Sequence, residues 1–362
     1  MPARPREKIW VVRPGDGRTV AEIVRRAGED AAAVEEGRVF LGKKRATRPD
    51  APVRAGDAVR IGPRPAATSG EAARDVTILF DEGGLVACVK PAGLPTVPDH
   101  AGSAHALVAV VARAIGRAPG DLRVTSRLDR DVSGVVVFAL DAAAEERLRA
   151  ARAEGRYRRR YLALAAAGER ALGDAGVWDV PIGRASDPRL RAARGPDAKE
   201  AATRWRKVAT APLALAGDGD VAHGAGATRD ANAARDAGAA PRSVVAMLAV
   251  DPVTGRTHQI RVHASDAGAP LVGDRDYGGP SRIVLANGRI LAPARIALHA
   301  ARVIVPGARG VVEARAPIPP ELAETWRALG GAPDAWDRAL ASDTPGHDDD
   351  ARSAWRRGPG VE

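Results

Sequence analysis

Residues 126–140 read SRLDRDVSGVVVFAL: four charged side chains, then Gly134, then an unbroken apolar run. A short apolar run rich in β-branched residues and bounded by turn formers predicts a buried strand. Asp129 then falls where a sheet strand meets a cleft, a place at which a rigid scaffold commonly presents functional side chains. Taken alone, Arg-Leu-Asp-Arg serves equally well as a plain turn, with Asp129 capping it and pairing with Arg127 or Arg130. The segment by itself leaves both readings open.

Outward from it, residues 76–97, VTILFDEGGLVACVKPAGLPTV, read as two strand-like runs around a DEGG turn, with the single cysteine, Cys88, buried among apolar neighbours. Further strand candidates are RYLALAAA (160–167), SVVAMLAV (243–250) and TGRTHQIRVH (254–263). In the last of these a period of two puts His258, Ile260 and Val262 on a core face, and Thr257, Gln259, Arg261 and His263 on the other. That second face reads either as a solvated surface or as an Arg-bearing site wall. Residues 141–155, DAAAEERLRAARAEG, predict a helix with Asp141 as N-cap and Gly155 as its stop. Strands outnumber helices and are not regularly separated by crossover helices, which predicts an α+β fold with a mixed sheet, not a doubly wound one. Residues 155–167, GRYRRRYLALAAA, place Arg156, Arg158, Arg159 and Arg160 beside two tyrosines. Bases stack on Tyr while Arg meets phosphate, although a solvated helix end followed by a strand has the same pattern.

Residues 1–65 predict a separate small α/β unit: a strand at IWVVR, a helix capped by Thr19 and stopped at Gly28, a short strand, a basic turn at Lys43, Lys44 and Arg45, and a closing strand after AGD. This unit holds 15 Lys/Arg against 9 Asp/Glu, more than half of the chain's net charge of +10 in under a fifth of its 362 residues. A surplus so concentrated favours an acidic partner, nucleic acid first. Residues 66–75 are expected to be a linker and 76–330 the larger domain. That domain carries a low-complexity insertion at 214–242, and the polar stretch 331–362 reads as a disordered tail. One cysteine fits a reducing cytoplasm. The charged N-terminus has no signal-peptide core, no stretch approaches membrane-span length, and the seven His residues lack metal-site spacing.

Taken together, these segments resemble the RluA-type pseudouridine synthase family. Its His-Arg-Leu-Asp-x-x-Thr-Ser-Gly signature corresponds to residues 126–134, with Ser126 in place of the usual His and Val132 in place of the usual Thr. Its Lys-x-Tyr element is matched by Arg159-Arg160-Tyr161, and Gly-Arg-Thr-His-Gln-Ile-Arg-x-His stands intact from Gly255 to His263. Gly268, Pro270, Gly273, Asp274, Tyr277 and Gly278 follow in family order, after an early Lys90-Pro91-x-Gly93 and before a late Leu298-His299-Ala300. Residues 1–65 are similar, more loosely, to the alpha-L RNA-binding domain that often precedes this one.

The resemblance implies a largely antiparallel mixed sheet and an isomerase of uridine in RNA, with Asp129 as nucleophile, Arg261 as the cation beside it and Tyr161 stacked on the target base. Arg127 would fill the space left by the extruded nucleotide. Arg156, Arg158, Arg159, Lys43 and Lys44 would meet RNA phosphates. No metal or cofactor is needed. Ribosomal RNA ranks ahead of transfer RNA as substrate, no DNA or membrane partner is expected, and a monomer is the default. The competing readings are a catalytically silent RNA-binding or ribosome-assembly factor, and a hydrolase using Asp129 with His258 or His263. The strand alternation disfavours the hydrolase by turning His258 and Arg261 opposite ways.

Overall fold

A computed structural model describes residues 8–29, 32–35, 39–42, 44–46, 48–61, 76–98, 106–168, 172–212, 243–285 and 288–342. The N-terminal unit runs β1 (Lys8–Val11), α1 (Val20–Arg26), α2 (Ala32–Glu35), β2 (Val39–Leu41), β3 (Lys44–Arg45) and β4 (Ala58–Ile61). Its strands form an antiparallel sheet in the order β1-β4-β2-β3. Thr19 caps α1 by accepting from the Glu22 amide at 3.4 Å, and Gly28 ends it at φ +77°. Val20, Ile23 and Val24 then pack with Val39, Val59 and Ile61, because helical spacing sets them on one stripe.

The larger unit continues with β5 (Ile78–Glu82), β6 (Leu85–Lys90), α3 (Leu107–Ala114), β7 (Arg123–Val124), β8 (Ser133–Ala139), α4 (Ala142–Ala153), β9 (Arg158–Gly168) and β10 (Ala175–Trp178). A hairpin, β11 (Ile182–Arg184) and β12 (Arg191–Ala193), precedes β13 (Thr203–Pro212), β14 (Ser243–Pro252) and α5 (Gln259–Asp266). A second hairpin, β15 (Ile283–Val284) and β16 (Ile290–Leu291), leads to β17 (Leu298–Pro306), β18 (Val311–Arg315), α6 (Pro320–Ala328) and α7 (Ala335–Ala341). Ten strands form one sheet in the order β10-β13-β14-β9-β17-β8-β6-β5, with β18 on β17 and β7 on β8. Among the described residues every pairing in it is antiparallel except β17 with β8, which run parallel through His299–Ser133 and Ala300–Gly134. The fold is α+β, its sheet mixed and mostly antiparallel. At the parallel seam Gly134 has φ +126°, and a Cβ there would meet the Ala300 carbonyl oxygen at 2.2 Å. Only glycine permits that approach.

Alternation along the strands buries both faces of the sheet. On β6 and β8, Ala87, Val135 and Val137 face α4, where Ala144, Leu148 and Ala151 form the apolar stripe. Val86, Cys88, Val136 and Phe138 face α3 instead. On β9, Tyr161, Ala163 and Ala165 face the site side, while Leu162 and Leu164 pack beneath α6 and α7. Phe138 is fully buried, and such a ring contributes roughly 1.5–3 kcal/mol by leaving water. The α4 helix begins as its sequence predicts: Asp141 accepts from the Ala144 amide at 2.7 Å, and Gly155 follows the helix at φ +69°.

Two expectations need correcting. Residues 254–263 do not form a strand. The chain turns at His258 in the left-handed region (φ 57°, ψ 19°) and enters α5. Gln259 organises the turn: its Oε1 accepts from the Arg256 amide and the Thr254 hydroxyl, and its Nε2 donates to Ala202 O and Thr203 Oγ1. Ile260 and Val262 therefore join different clusters instead of sharing a face.

The stretch 331–362 is likewise no featureless tail over its described part. The α7 helix buries Ala335, Trp336 and Ala339 against the sheet. Arg160 closes its end by donating to the carbonyls of Ala339, Leu340 and Ser342. A helix of seven residues has little intrinsic stability and is held by such tertiary contacts. Residues 343–362, the expected linker 66–75 and the insertion 214–242 lie outside the described residues.

Candidate active site

Asp129 sits in the loop between β7 and β8, a quarter exposed. Segment 90–96 grips this loop on both sides of it. The Thr96 hydroxyl donates to Leu128 O at 2.9 Å and accepts from Leu128 N at 3.1 Å, pairing both backbone groups of the preceding residue. On the following residue, Arg130 O accepts from Gly93 N and from Lys90 Nζ, each at 2.8 Å, while Arg130 Nε donates back to Gly93 O. Lys90 Nζ also donates to Pro91 O at 2.8 Å. Lys90 is fully buried. Burial lowers its pKa to about 7, with Asp131 and Asp129 pulling the other way. A neutral amine still has two N–H groups, one for each carbonyl it meets.

The opposite wall is α5 and the segment after it. Arg261, 5% exposed, reaches Asp129 Oδ2 with Nη1 at 3.5 Å. Its other face is held in a fork by fully buried Asp274, Nε to Oδ2 and Nη2 to Oδ1 both at 2.8 Å, and Nη2 also meets Asp276 at 2.9 Å. The Tyr277 ring lies under the guanidinium, 4.7 Å from its carbon. Burial alone would lower the Arg261 pKa, but the bonds and charge of Asp274, with Asp129 and Asp276, raise it above the usual value. His258 also faces Asp129, Nε2 to Oδ2 at 4.0 Å. His258 and Arg261 thus look the same way, as neighbours three apart around a helical turn do, and not oppositely as a strand would require.

Two hollows meet at Asp129. The smaller is walled by Tyr161, Val132, Leu298 and Ile260 along with Asp129 and Arg261. The larger, about 420 Å³, is bounded by Thr96, Arg130, Arg189 and Asp276, and shares Arg127, Leu128, Asp129, His258 and Arg261 with the smaller. That size suits a small-molecule or nucleotide moiety. Tyr161 is 7% exposed. Burial raises the pKa of its hydroxyl, with Arg159 opposing. Val132 is buried in the floor, and Ser126 Oγ lies 3.1 Å from the Tyr157 hydroxyl, so both departures from the family pattern are accommodated by local packing. Among the described residues no group of three or more His, Cys, Asp and Glu is placed to hold a metal.

The structure thus gathers Asp129, Tyr161, Arg261 and Arg127 around one opening. Arg159 is there too, donating to Thr254 O at 2.7 Å. Arg156 and Arg158 are exposed, Arg156 paired with Glu154. Arg160 does not belong with them. It is 2% exposed, forked onto Asp251 at 2.7 Å through both Nε and Nη2, and serves the α7 end. Lys43 lies outside the described residues, and of Lys44 only the backbone, in β3, is described. Residues without a role in the sequence reading complete the walls: Lys90 and Thr96 on one side, Asp274 and Tyr277 on the other. Lys90, Asp274 and Tyr277 stood in recognisable motifs, whereas nothing in the sequence marked Thr96.

An ionisable loop residue is thus faced by a charge-locked arginine and a buried tyrosine at the seam of a mixed sheet. The chain belongs to the RNA pseudouridylate synthase family, whose pattern matches residues 84–266, just over half of its 362 residues. An uncharacterized RNA pseudouridine synthase of Zymomonas mobilis is 31% identical over 207 residues, covering 56% of this chain and 78% of that protein. An uncharacterized RNA pseudouridine synthase of Bacillus subtilis is 29% identical over 212 residues, 58% of this chain and 60% of that protein. Ribosomal large subunit pseudouridine synthase D of Xanthomonas campestris is 30% identical over 244 residues, 65% of this chain and 62% of that protein. The chain therefore spans less than two thirds of the length of the latter two relatives. Among the described residues no helix is long and apolar enough to cross a membrane.

Proposed function

We propose that this protein isomerises uridine to pseudouridine in structured RNA, with Asp129 as nucleophile and ribosomal RNA as substrate. The observation that carries the reading is the 3.5 Å approach of Arg261 to the Asp129 carboxylate, in a hollow that Tyr161 walls. Isomerisation breaks the N1–C1′ glycosidic bond and makes a C5–C1′ bond. N1 gains a proton and C5 loses one, so nothing is consumed.

A carboxylate suits covalent catalysis at a sugar or base carbon. Arg261 Nη1 stands 3.5 Å from its oxygen, an opposite charge beside the attacking group. Arg261 is itself immobilised by Asp274 and Asp276, so it need not reorganise as charge develops. Tyr161 presents a ring for the target base, and its buried hydroxyl keeps its proton at neutral pH. Arg127, exposed at the mouth, fills the gap left in the RNA when the nucleotide swings out. Arg156 and Arg158 meet phosphates at the entrance, and the basic unit 1–65, Lys43 and Lys44 included, grips RNA beyond the site. The name of the Xanthomonas relative and the basic N-terminal unit both favour ribosomal over transfer RNA. The protein works as a cytoplasmic monomer.

The test is complementation of a strain lacking the gene, with pseudouridine mapped across total RNA by carbodiimide-dependent reverse-transcription stops. Wild type restores a ribosomal site, and Asp129→Asn, folded to the same extent, restores none. Restoration of a transfer RNA site instead changes the substrate. RNA binding with no restored site would leave the silent RNA-binding factor in place of the enzyme.

A further inference from the structure

We propose that His258 contacts the target nucleotide, donating a hydrogen bond from Nε2–H to one of its oxygens. The inference rests on the synthase reading and extends it to a residue whose chemistry that reading leaves unused.

Three observations converge. First, His258 sits at φ 57°, one of three non-glycine residues with positive φ among those described. Holding a side chain there is unfavourable, and such strain clusters at functional sites. The residue also forms part of the wall of both hollows.

Second, the ring is aimed. Its Nδ1 lies 2.7 Å from the Tyr277 hydroxyl. That hydroxyl oxygen already accepts from the Arg191 amide at 2.9 Å, so its own proton is available to Nδ1. An imidazole that accepts at Nδ1 carries its proton on Nε2. The Tyr277 ring also meets the imidazole edge-on, centroids 5.7 Å apart at 86°.

Third, that proton has no taker. The gap from Nε2 to Asp129 Oδ2 is 4.0 Å, beyond a hydrogen bond, and among the described residues Nε2 has no other acceptor. A donor pinned by its far side and open toward the cleft is placed for an incoming acceptor. The surroundings keep the ring neutral: burial lowers its pKa, Asp129 and Asp274 oppose this, and Arg261 and Arg191 reinforce it. A neutral donor leaves the charge on Asp129 uncompensated by a second cation, which suits a nucleophile.

The positive-φ position offers a clean separation of backbone from side chain. His258→Gly relieves the strain and removes the donor, while His258→Gln restores an amide N–H at similar reach. The probe is total RNA from the deletion strain, labelled with tritium at uridine C5, because forming the C5–C1′ bond releases that hydrogen. Under single turnover, His258→Gly falls by about tenfold or more, a loss equivalent to one hydrogen bond realised in the transition state. His258→Gln recovers to within about threefold of wild type. Filter-binding affinity for the same RNA stays within about twofold in both. Tyr277→Phe, which leaves the ring unaimed, falls between Gly and wild type. A glycine variant as fast as wild type overturns the proposal, as does a glutamine variant as slow as glycine with an equal melting temperature. No tritium release by wild type itself removes the synthase reading and this inference with it, whereas release by wild type with Asp129→Asn silent keeps the two questions apart.

Discussion

The two walls that face each other across Asp129 are built by opposite physics. The loop wall is held by hydrogen bonds from Thr96, Gly93 and Lys90 to backbone groups of Leu128 and Arg130, with one buried amine that burial pushes toward neutrality. The α5 wall is held by charge: Arg261 forked onto buried Asp274, assisted by Asp276 and stacked on Tyr277. The first fixes where the carboxylate stands. The second supplies the field it stands in. A loop pinned through its backbone tolerates side-chain change so long as each backbone group keeps a partner. A buried ion pair does not tolerate the loss of one partner, because the half left behind is an uncompensated charge.

The comparison breaks most sharply at Arg261. Arg261→Met leaves Asp274 buried without its cation, and urea denaturation is expected to show a loss of about 3–5 kcal/mol. Replacing Asp274 by Leu in the same chain recovers most of that stability while leaving the enzyme inactive. Recovery of activity in the double variant would contradict the electrostatic role of this wall.

On the loop wall, Thr96→Val keeps shape but strands the amide and carbonyl of Leu128, for a cost of about 1–3 kcal/mol. Thr96→Ser should lie within ~0.5 kcal/mol of wild type in the same denaturation experiment. The valine variant is expected to lose turnover more than RNA affinity, since it loosens Asp129 and no RNA contact.

Lys90 sharpens the contrast through pH. Burial brings its pKa down to about 7 in the fold from the ordinary lysine value of 10.5, so above pH 7 the unfolded chain holds a proton that the folded chain has released. Stability from this group therefore rises between pH 7 and 10.5, by at most ~1.4 kcal/mol per pH unit. Wild type should gain on Lys90→Met in melting temperature as pH is raised from 7 to 9, and a gap that stays constant would show that Lys90 is not released from its charge. The smallest effect on stability belongs to Arg127→Ala, within ~0.5 kcal/mol because the side chain is exposed, although its turnover on RNA falls.

The sequence was legible where local signals and tertiary demands agree. The apolar run 133–139 became β8, and Asp141 capped α4 as its position before an Ala-rich helix suggested. Asp129, Tyr161 and Arg261 were found together because motifs in family order mark them. Legibility failed where a partner distant in sequence decides. Ile260 and Val262 imitate a strand, while Gln259 is tied to residues 202 and 203, far away in sequence, at the turn where the chain enters α5. The α3 helix is apolar over LVAVVARA except for one arginine, a pattern periodicity cannot separate from a buried strand. Arg160 stood in a basic run yet points to the other face of β9 from Tyr161, where Asp251 and the α7 carbonyls claim it. Thr96 acts across 32 residues on a backbone pair that no motif announces.

The position of β17 has a consequence for how the protein comes to be active during its synthesis. Asp129 precedes β8 and Tyr161 lies on β9, and the strand that separates β8 from β9 in the sheet is β17, residues 298–306. A nascent chain that has reached residue 290 contains both of these side chains but lacks the strand that sets the distance between them. The wall between Asp129 and Tyr161 is completed only once β17 has emerged, so a chain terminated before residue 298 holds both side chains without the strand that spaces them.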